Sequence, residues 1–391
     1  MRILILEPHG SGHHATYLRW IVEGVRARGW SCVVGTTTAT LDHPLLKSLS
    51  WGRSDGIALQ LLEPRADWAG PVGKKLQQAR REWGYLKTFR QAALQMQPRA
   101  KLDAVVLPYV DYCFHALALS NSAFGGLPWC GISMRLSLPA KPASQPWKWR
   151  LTGRLLRQPS LRALFSINPS VQDAPASWFA GSSEKLRYLP DPAEQRTSRD
   201  RATARARLGI EADSLAVLVF GTIDERKGLE ILIDSLVNAP HLARFVVIVA
   251  GRQSPSIRER MRSGASAQLR GKKRLIELDR FLSDDEQAMV FAASDVVWAV
   301  YVDHQYTSGV LVLAGQAALP VISSDVGEMA WMVHRYGTGL LVRGFERSEV
   351  ASALASLQDE GVRAAYGERA KTAFALHTPG TFVAAVLDSV A

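Results

Sequence analysis

Short apolar runs alternate with amphipathic stretches along the first half of the chain. The run Arg2–Glu7 is followed by a turn that contains Gly10 and Gly12, then by apolar positions at helical spacing from Tyr17 to Val25. The next apolar run, Ser31–Thr36, has the length of a buried strand. This order predicts a β-α-β unit that opens a parallel sheet. Later strands are predicted at Ala104–Leu107, Trp129–Ser133 and Leu164–Ile167.

The same cycle restarts in the second half. Strands are predicted at Leu215–Phe220, Phe245–Ala250, Leu275–Glu277, Val296–Val300 and Pro320–Ser323, with helices at Leu229–Val237, Asp284–Ala293 and Ser308–Ala318. The segment from Leu189 to Asp200 is polar and contains proline, which is typical of an interdomain linker. We therefore expect Rossmann-like domains at residues 1–190 and 191–375, and a last helix at 376–391 that crosses back to the first. The predicted fold class is α/β, with two doubly wound domains facing a central cleft.

Composition supports a globular protein with an uneven distribution of charge. The 391 residues are 47% hydrophobic and 21% charged, which excludes disorder as the main state. The formal charge is +11, yet residues 1–190 carry 24 Lys and Arg against 11 Asp and Glu. Nine of the eleven tryptophans lie in that basic half. Such a half suits an anionic membrane surface, a phospholipid-linked sugar or nucleic acid, and the alternative is a solvated basic surface.

Two basic segments in the first half are interleaved with aromatic residues. One lies between Arg65 and Lys101, and the other is PWKWRLTGRLLRQ at residues 146–158. Helices of this kind lie at membrane interfaces, with tryptophan at the level of the headgroups, or dock on their own domain as ordinary amphipathic helices. Nucleic acid is the least favoured partner, because no recognition motif accompanies the charge.

Cysteine usage and the absence of long apolar runs indicate a location. Cys32, Cys113 and Cys130 are odd in number and widely spaced, which argues against disulfides and a zinc site. The apolar run near the N-terminus is too short for a signal peptide, and no run approaches the 18 or so residues of a membrane span. We expect a cytoplasmic protein, peripheral on the inner face of a membrane.

Two motifs in the second half predict a site for an anion. The turn Phe220–Gly228 (FGTIDERKG) joins a strand to a helix and contains Gly221, Arg226 and Lys227. Its free backbone N–H groups and two cations suit a diphosphate, and the alternative is a plain turn with surface charges. In the second motif, Thr307 or Ser308 is a candidate N-cap. The backbone N–H groups of Ser308, Gly309 and Val310 would then form a second phosphate site.

These motifs resemble a known family. The order G-x5-K-G, then RFLSDDE, then SGVLVLAGQAALPVISSDVG is similar to the C-terminal half of retaining family 4 glycosyltransferases of the GT-B fold. The resemblance covers Val217 to Val342 closely and the N-terminal half more weakly. It implies that the domain at residues 1–190 binds the acceptor and that the domain at residues 191–375 binds the nucleotide-sugar donor. It also implies that Arg226 and Lys227 bind the donor diphosphate. It also implies donor contacts from the glycines and two further segments: Gly10, Gly12, Gly221, Phe281, Leu282, Thr307, Ser308, Gly309 and Val310.

The chain departs from that family at the acidic pair Glu-x7-Glu. Gln305 and Leu313 occupy the two positions, and no histidine lies at residues 133–135, where the family often has one. Substitutes near the predicted site are Asp303, His304 and Glu328, together with the histidines of the first turn, His13 and His14. We select His13, His304 and Asp303 as catalytic candidates, and prefer His13 to His14. The remaining histidines, His9 among them, we interpret as structural.

The predicted activity is sugar transfer without a metal or other cofactor. The chain lacks an Asp-x-Asp sequence, so cations and helix N-termini would stabilise the leaving diphosphate. The donor would be a nucleoside-diphosphate sugar, and the acceptor a glycan, glycolipid or lipid-linked molecule in polysaccharide biosynthesis. The alternatives are a nucleotide-sugar epimerase or hydrolase, and a non-catalytic GT-B subunit of a polysaccharide assembly system.

Overall fold

The computed structural model describes residues 1–11, 13–47, 56–63, 73–138, 146–179, 181–194, 199–344 and 346–391. It divides into two compact units. Unit 1 comprises Met1–Pro190 and Pro379–Ala391, and unit 2 comprises Asp191–Thr378.

Unit 1 is built on a seven-stranded parallel sheet. Its strands are β1 (Arg2–Leu6), β2 (Ser31–Thr36), β3 (Ile57–Leu61), β4 (Ala104–Leu107), β5 (Trp129–Ser133), β6 (Leu161–Ser166) and β7 (Leu186–Tyr188), in the order β3-β2-β1-β4-β5-β6-β7. Its helices are α1 (His13–Ala27), α2 (Thr38–Leu41), α3 (Pro44–Lys47), α4 (Lys74–Ala100), α5 (Phe114–Leu119) and α6 (Pro146–Leu156). Apolar side chains on both faces of the sheet form two buried clusters, as expected where helices cover both faces.

Unit 2 has a six-stranded parallel sheet. Its strands are β8 (Leu215–Phe220), β9 (Phe245–Ala250), β10 (Leu275–Leu278), β11 (Val296–Ala299), β12 (Val321–Ser324) and β13 (Gly339–Val342), in the order β10-β9-β8-β11-β12-β13. Its helices are α7 (Arg201–Leu208), α8 (Leu229–Val237), α9 (Pro255–Arg260), α10 (Gly264–Gly271), α11 (Asp284–Ala293), α12 (Gly309–Gln316), α13 (Gly327–Tyr336), α14 (Arg347–Ser356) and α15 (Glu360–Ala373). The predicted α/β class with two doubly wound Rossmann-like domains is confirmed.

The last helix, α16 (Pro379–Asp388), packs on α1 within unit 1. The ring of Phe382 lies 4.6 Å from the ring of Tyr17, centroid to centroid. Gly24 permits the close approach, because a Cβ there would stand 2.1 Å from a methyl carbon of Val383. Any larger residue at position 24 would therefore separate the two helices.

Several predicted element bounds differ from the structure. His13 and His14 were placed in a turn by the sequence pattern but are the first two residues of α1. The strand predicted from Leu164 begins at Leu161, and strands β3, β7 and β13 were not predicted because they are short or weakly apolar. Among the described residues, no helix is both long and apolar enough to cross a membrane.

Candidate functional site

Each sheet reverses its strand order once, and ligands of open parallel sheets bind at the carboxyl ends of the strands beside that point. In unit 2 the reversal lies between β8 and β11. In unit 1 it lies between β1 and β4. We call the carboxyl ends of these strand pairs, with the loops that follow them, the unit 2 edge and the unit 1 edge.

The turn after β8 forms the first part of the unit 2 edge. Gly221 has φ +103° and Gly228 has φ +56°, both in the region that favours glycine. A Cβ on Gly228 would also stand 2.6 Å from the carbonyl oxygen of Val300, so this turn packs directly against the chain that leaves β11. Residues 225–227 form a single 3-10 turn, and Asp224 accepts a hydrogen bond from the backbone N–H of Arg226.

Lys227 is the buried cation of the unit 2 edge. Its side chain is only 8% exposed, and its ammonium group donates a hydrogen bond to the hydroxyl of Tyr301. The Nζ atom also lies 4.1 Å from the centroid of the Tyr301 ring. The Lys227 carbonyl accepts a hydrogen bond of 2.8 Å from the Trp298 indole N–H. Gly221 stands directly beside this ammonium group, because a Cβ there would be 3.6 Å from Nζ.

Arg226 is the exposed cation of the same turn. Its side chain is 57% exposed and donates two hydrogen bonds, of 2.7 and 3.0 Å, to one carboxylate oxygen of Asp224. These bonds raise the pKa of Arg226 further above its usual value. The two neighbouring cations of the motif therefore have opposite environments. Lys227 is held against the ring and hydroxyl of Tyr301, whereas Arg226 is held by an acid at the surface.

The N-terminus of α12 lies beside Tyr301. Ser308, one of the two predicted candidates, occupies the N-cap position. Its hydroxyl makes no capping hydrogen bond and instead donates to the Tyr301 hydroxyl at 3.3 Å. The Thr307 hydroxyl donates to the sulfur of Met332 at 3.3 Å. Gly309 and Val310 begin the helix, so the first turn of α12 and the ammonium group of Lys227 meet at one phenol. A helix N-terminus beside a buried cation suits a phosphate group.

The loop between β11 and α12 contains the other predicted catalytic residues. His304 is half-buried, with Nε2 3.3 Å from the Thr307 carbonyl oxygen and its ring edge-on to Tyr301. Burial lowers the pKa of His304, and the neighbouring cations Arg226 and Lys227 lower it further. Asp303 is exposed and has φ +52°, a conformation that Asp tolerates better than most residues.

Gln305 and Leu313 occupy the two positions that hold glutamate in the similar family. Gln305 is exposed, and its backbone carbonyl accepts a hydrogen bond from the N–H of Glu328 at 3.0 Å. Leu313 packs against the apolar cluster on the same face of the sheet. Leu282 belongs to that cluster, together with Tyr301 and Val310. Phe281 is 91% exposed and presents a free aromatic surface on the loop after β10.

The unit 1 edge is organised by a buried acid that the sequence analysis did not select. Glu7 directly follows β1 and has no exposed surface. It accepts hydrogen bonds from the His9 backbone N–H at 3.0 Å and from the Tyr112 hydroxyl at 3.4 Å. Its second oxygen lies 3.1 Å from Nδ1 of His14. Three residues, two that follow β1 along the chain and one that follows β4, therefore converge on one carboxylate.

Aromatic rings surround this carboxylate. His14 packs edge-on against Tyr109, with centroids 4.6 Å apart, and stacks on Tyr112 at 5.7 Å. His9 lies 4.9 Å from the Tyr112 ring, and its Nε2 is 2.9 Å from the hydroxyl of Tyr85 on α4. Burial lowers the pKa of His9, while burial followed by the charge of Glu7 raises the pKa of Tyr112 above its usual range.

The site residues predicted in unit 1 do not lie together around Glu7. His13 is exposed and contacts the ring of Tyr17 at 5.9 Å, outside the cluster around Glu7. Gly10 is packed on α2, because a Cβ there would stand 3.2 Å from the Cα of Thr40. Gly12 lies outside the described residues. His9 and His14, rather than His13, are the histidines that the fold brings to the strand ends.

Residues 133–134, where the similar family often has a histidine, are held by hydrogen bonds to a partly buried acid. Asp111 follows β4 and accepts hydrogen bonds of 2.7 Å from the Ser133 hydroxyl and from the Met134 backbone N–H. Burial raises the pKa of Asp111. Across the described ranges, no group of three or more His, Cys, Asp or Glu side chains is arranged to hold a metal ion.

Comparisons with known proteins agree with the pattern of unit 2. Residues 214–360 match the family model described as glycosyl transferases group 1. The D-inositol 3-phosphate glycosyltransferase of Nocardia farcinica is 30% identical over 189 residues, which are 46% of this chain and 41% of that protein. The one from Acidothermus cellulolyticus is 28% identical over 195 residues, 48% of this chain and 43% of that protein. The matches thus span less than half the length of these relatives.

Solved structures match the whole length of the chain. The Anabaena protein Alr3699/HepE in complex with UDP has a TM-score of 0.66 at 17% identity, and the match covers 100% of this chain and 99% of that one. WaaG, a glycosyltransferase involved in lipopolysaccharide biosynthesis, has a TM-score of 0.57 at 17% identity, with 99% of both chains covered. At these identities the likeness shows the fold.

Proposed function

We propose that the protein is a glycosyltransferase, because residues 214–360 match the family model described as glycosyl transferases group 1. It moves a sugar from a nucleoside-diphosphate sugar to a glycan, glycolipid or lipid-linked acceptor, with retention of the anomeric configuration. The observation that carries this proposal is the meeting of the Lys227 ammonium group and the N-terminus of α12 at the hydroxyl of Tyr301.

The unit 2 edge supplies what a departing diphosphate needs. When the bond between the anomeric carbon and the diphosphate oxygen breaks, negative charge develops on that oxygen. A buried ammonium group and the partial positive charge of a helix N-terminus stabilise this charge more strongly than they stabilise the intact donor. Lys227 is held in place before the reaction by Tyr301, so little reorganisation is required. Arg226 would exchange its bond with Asp224 for one with the diphosphate.

The acceptor completes the transfer. Its hydroxyl oxygen forms the new bond to the anomeric carbon, and its proton passes to the departing diphosphate, so that no protein base is required. This route is compatible with Gln305 and Leu313 at the positions of the missing acidic pair. His304 and Asp303 remain candidates for contacts with the donor sugar, and His304 would act there as a neutral group because burial lowers its pKa.

The positive groups of the unit 2 edge also bear on whether a metal cofactor is needed. We expect no divalent cation, because Lys227, Arg226 and the helix N-terminus provide positive charge and the chain lacks Asp-x-Asp. UDP is the first nucleotide to test, since similar folds have been solved with it. Phe281, exposed on the loop after β10, offers a surface on which the base can stack.

A labelled donor distinguishes the proposed activity from its alternatives. UDP-[¹⁴C]glucose, UDP-[¹⁴C]galactose and UDP-[¹⁴C]N-acetylglucosamine would be incubated with the protein and a lipid extract, in EDTA. We expect label from one donor in the organic phase. Free labelled sugar alone would indicate a hydrolase, an altered nucleotide sugar an epimerase, and unchanged donors a non-catalytic subunit. Each of these three outcomes would overturn the proposed transfer.

We further propose that unit 1 rests on an anionic membrane surface on the cytoplasmic side. The support is an exposed basic-aromatic surface on α4 and α6. Trp147 is 58% exposed and stacks on His115, which in turn bonds to Glu82, next to the 44% exposed Trp83. The same helices carry basic side chains, among them Lys74, Lys75, Lys87, Arg150 and Arg154. Trp68, in the first basic segment, lies outside the described residues.

Sedimentation with vesicles tests the membrane proposal. The protein should bind vesicles that contain phosphatidylglycerol and remain free of vesicles of phosphatidylcholine alone. Trp147→Ala together with Trp83→Ala should weaken binding about tenfold, since each exposed indole buries apolar area at the interface. Leu376→Ala, which removes a 65% exposed side chain of unit 2, is the matched control. Equal binding to both vesicle types would contradict the proposal.

A further inference from the structure

The proposed transfer makes no use of a cleft at the amino ends of the unit 2 strands. The cleft has a volume of about 400 Å³ and lies where β8, β11 and β12 begin. We infer that this amino-edge cleft binds a small organic phosphate, held by the guanidinium groups of Arg244 and Arg363. The inference goes beyond the proposed function and does not depend on it.

The amino-edge cleft is separate from the unit 2 edge. Leu215, the first residue of β8, lines the cleft. Gly221, just beyond the other end of β8, stands beside the ammonium group of Lys227. At about 3.3 Å per residue, these two ends of the strand lie about 20 Å apart. A small ligand in the cleft is therefore out of reach of the Lys227 charge.

The arginines of the cleft come from three segments. Arg201 begins α7, Arg244 precedes β9 and Arg363 lies on α15. Among the described residues, the ion pairs at this cleft join the buried Asp295 to Arg201 and Arg205, and none involves Arg244 or Arg363. Asp295 is thus already neutralised by the protein. Arg244 and Arg363 are the positive charges that remain for a ligand.

The protein fixes each of these two guanidinium groups on one side. Nε of Arg244 donates to the Asp213 carbonyl at 2.9 Å. Nη1 of Arg363 donates to the carbonyls of Leu357 and Gln358 at 2.7 and 2.9 Å. A guanidinium group has five N–H donors, so those on Nη2 of both side chains are left over by the described residues. A planar cation held in this way suits the oxygen atoms of a phosphate group.

The cleft is larger than a bare phosphate ion requires. Its volume falls in the range of small-molecule sites, about 300–1,000 Å³, and Leu215, Leu319 and Pro320 give it an apolar floor. Ala318 has φ +52° there, and a Cβ on Gly367 would stand 2.1 Å from the Ala318 carbonyl oxygen. The floor is therefore closely packed and preformed. It suits an ester whose organic part lies on the floor while its phosphate meets the arginines.

Glu360 lies on the exposed rim of the same cleft, at the first turn of α15. Its carboxylate opposes the binding of an anion beside Arg363. Glu360→Gln removes that charge and keeps the size of the side chain, so it should strengthen the binding of a phosphate ester about threefold, as for a surface charge pair. If the two arginines only hold carbonyl groups of the protein, Glu360→Gln would have no such effect.

Calorimetric titration of the full chain tests the inference. The probes are glucose 1-phosphate, glycerol 3-phosphate, inorganic phosphate and glucose. We expect saturable binding of at least one ester, weaker binding of inorganic phosphate and none of glucose. Lys227→Met should bind the ester as tightly as wild type does, because that cation lies at the opposite end of β8. A loss of ester binding in Lys227→Met would place the phosphate at the unit 2 edge and overturn the inference.

Variants of the cleft complete the test. Arg244→Ala combined with Arg363→Ala should weaken ester binding at least tenfold, as for loss of charge-assisted hydrogen bonds. Arg207→Ala, exposed on α7, is the matched control. Failure of both esters to bind, unchanged binding in the double variant, or inorganic phosphate binding as tightly as the esters would each overturn the inference. If the double variant does not fold, an unchanged affinity in Glu360→Gln would overturn it instead.

Discussion

The two sheet edges have the same topology and opposite chemistry. At the unit 2 edge, positive groups meet at a tyrosine: the buried Lys227, and the N-terminus of α12. At the unit 1 edge, a buried carboxylate, Glu7, gathers two histidines and a tyrosine. One edge suits a doubly charged leaving group, and the other holds its own charge buried among aromatic rings. The comparison shows that a shared fold gives the place of a site, while the first residues after each strand decide what it binds.

The largest expected effect comes from removing the buried cation of unit 2. Lys227→Met keeps the bulk of the side chain but removes its charge, so we expect transfer to fall about 10²- to 10³-fold, as for loss of one preorganised donor to a developing anion. Steady-state transfer from the accepted UDP-sugar measures it. The control is Lys272→Met, an exposed lysine of the same unit. A loss below threefold would contradict the role given to Lys227.

The next effect concerns Glu82, a buried acid of α4 in unit 1. Glu82 accepts hydrogen bonds from the backbone N–H groups of His115 and Ala116. Glu82→Ala leaves these donors unpaired, so the free energy of unfolding should fall by about 1–3 kcal/mol at pH 7. Urea unfolding measures it, and Glu63→Ala, an exposed acid of unit 1, should cost little.

The same variant has a defined pH dependence. Burial acts to raise the pKa of Glu82, but hydrogen bonds from His115 and Gln78 outweigh burial and lower it. A lowered pKa in the folded protein means stabilisation that is complete above the unfolded value of about 4.3 and is lost as the pH falls through the folded value. The difference between wild type and Glu82→Ala should therefore shrink below pH 4. An unchanged difference at pH 3 would contradict the ionised, hydrogen-bonded state.

Arg226 should matter less than Lys227, because it is exposed and already paired with Asp224. We expect Arg226→Ala to weaken UDP binding about tenfold at low salt, with little loss at 1 M salt, where the screening length is about 3 Å. The effect of Lys227→Met should persist at high salt, because that cation is buried. Calorimetric titration with UDP at both salt concentrations measures this contrast. Arg207→Ala, exposed on α7, is the control.

The smallest effect is expected from the exposed ring of the loop after β10. Phe281→Ala should weaken UDP binding three- to tenfold, as for loss of about 1 kcal/mol of stacking, and leave the melting temperature unchanged because the ring is 91% exposed. Inorganic pyrophosphate lacks a base, so it should compete equally in variant and wild type. Leu376→Ala is the control for loss of an exposed apolar group. If Phe281→Ala weakened the binding of UDP and of pyrophosphate equally, Phe281 would not contact the base.

The sequence predicts the fold well because strong apolar runs are local features. Leu215–Phe220 was predicted with the bounds that the structure has, since every residue in it is apolar. Ile57–Leu61 was not predicted, because it is an edge strand in which four of the five residues are partly or fully exposed. Such a strand depends on pairing with β2, which is not visible in a window of sequence.

The sequence predicts the unit 2 site better than the unit 1 site, because only the unit 2 cations are neighbours in the chain. Arg226 and Lys227 are neighbours in one motif, so the sequence places them together. Glu7 and Tyr112 are 105 residues apart and meet only because β1 and β4 pair. The available signal was that each follows a strand at the reversal of strand order, and it required the strand order to be known. The preference for His13 over His14 depended on which face of α1 packs inward, which the first turn of a helix does not reveal.

Thermal unfolding with nucleotides is the most direct test of the central claim that the unit 2 edge binds a nucleoside diphosphate without metal. UDP, GDP, ADP and dTDP would each be added with EDTA or with Mg²⁺. At 100 times its dissociation constant, a ligand adds about 2.7 kcal/mol of stability, which corresponds to a rise of about 5–10 °C for a domain of this size. We predict this rise for UDP in both conditions and its loss in Lys227→Met. No rise with any nucleotide, or a rise that requires Mg²⁺, would contradict the account.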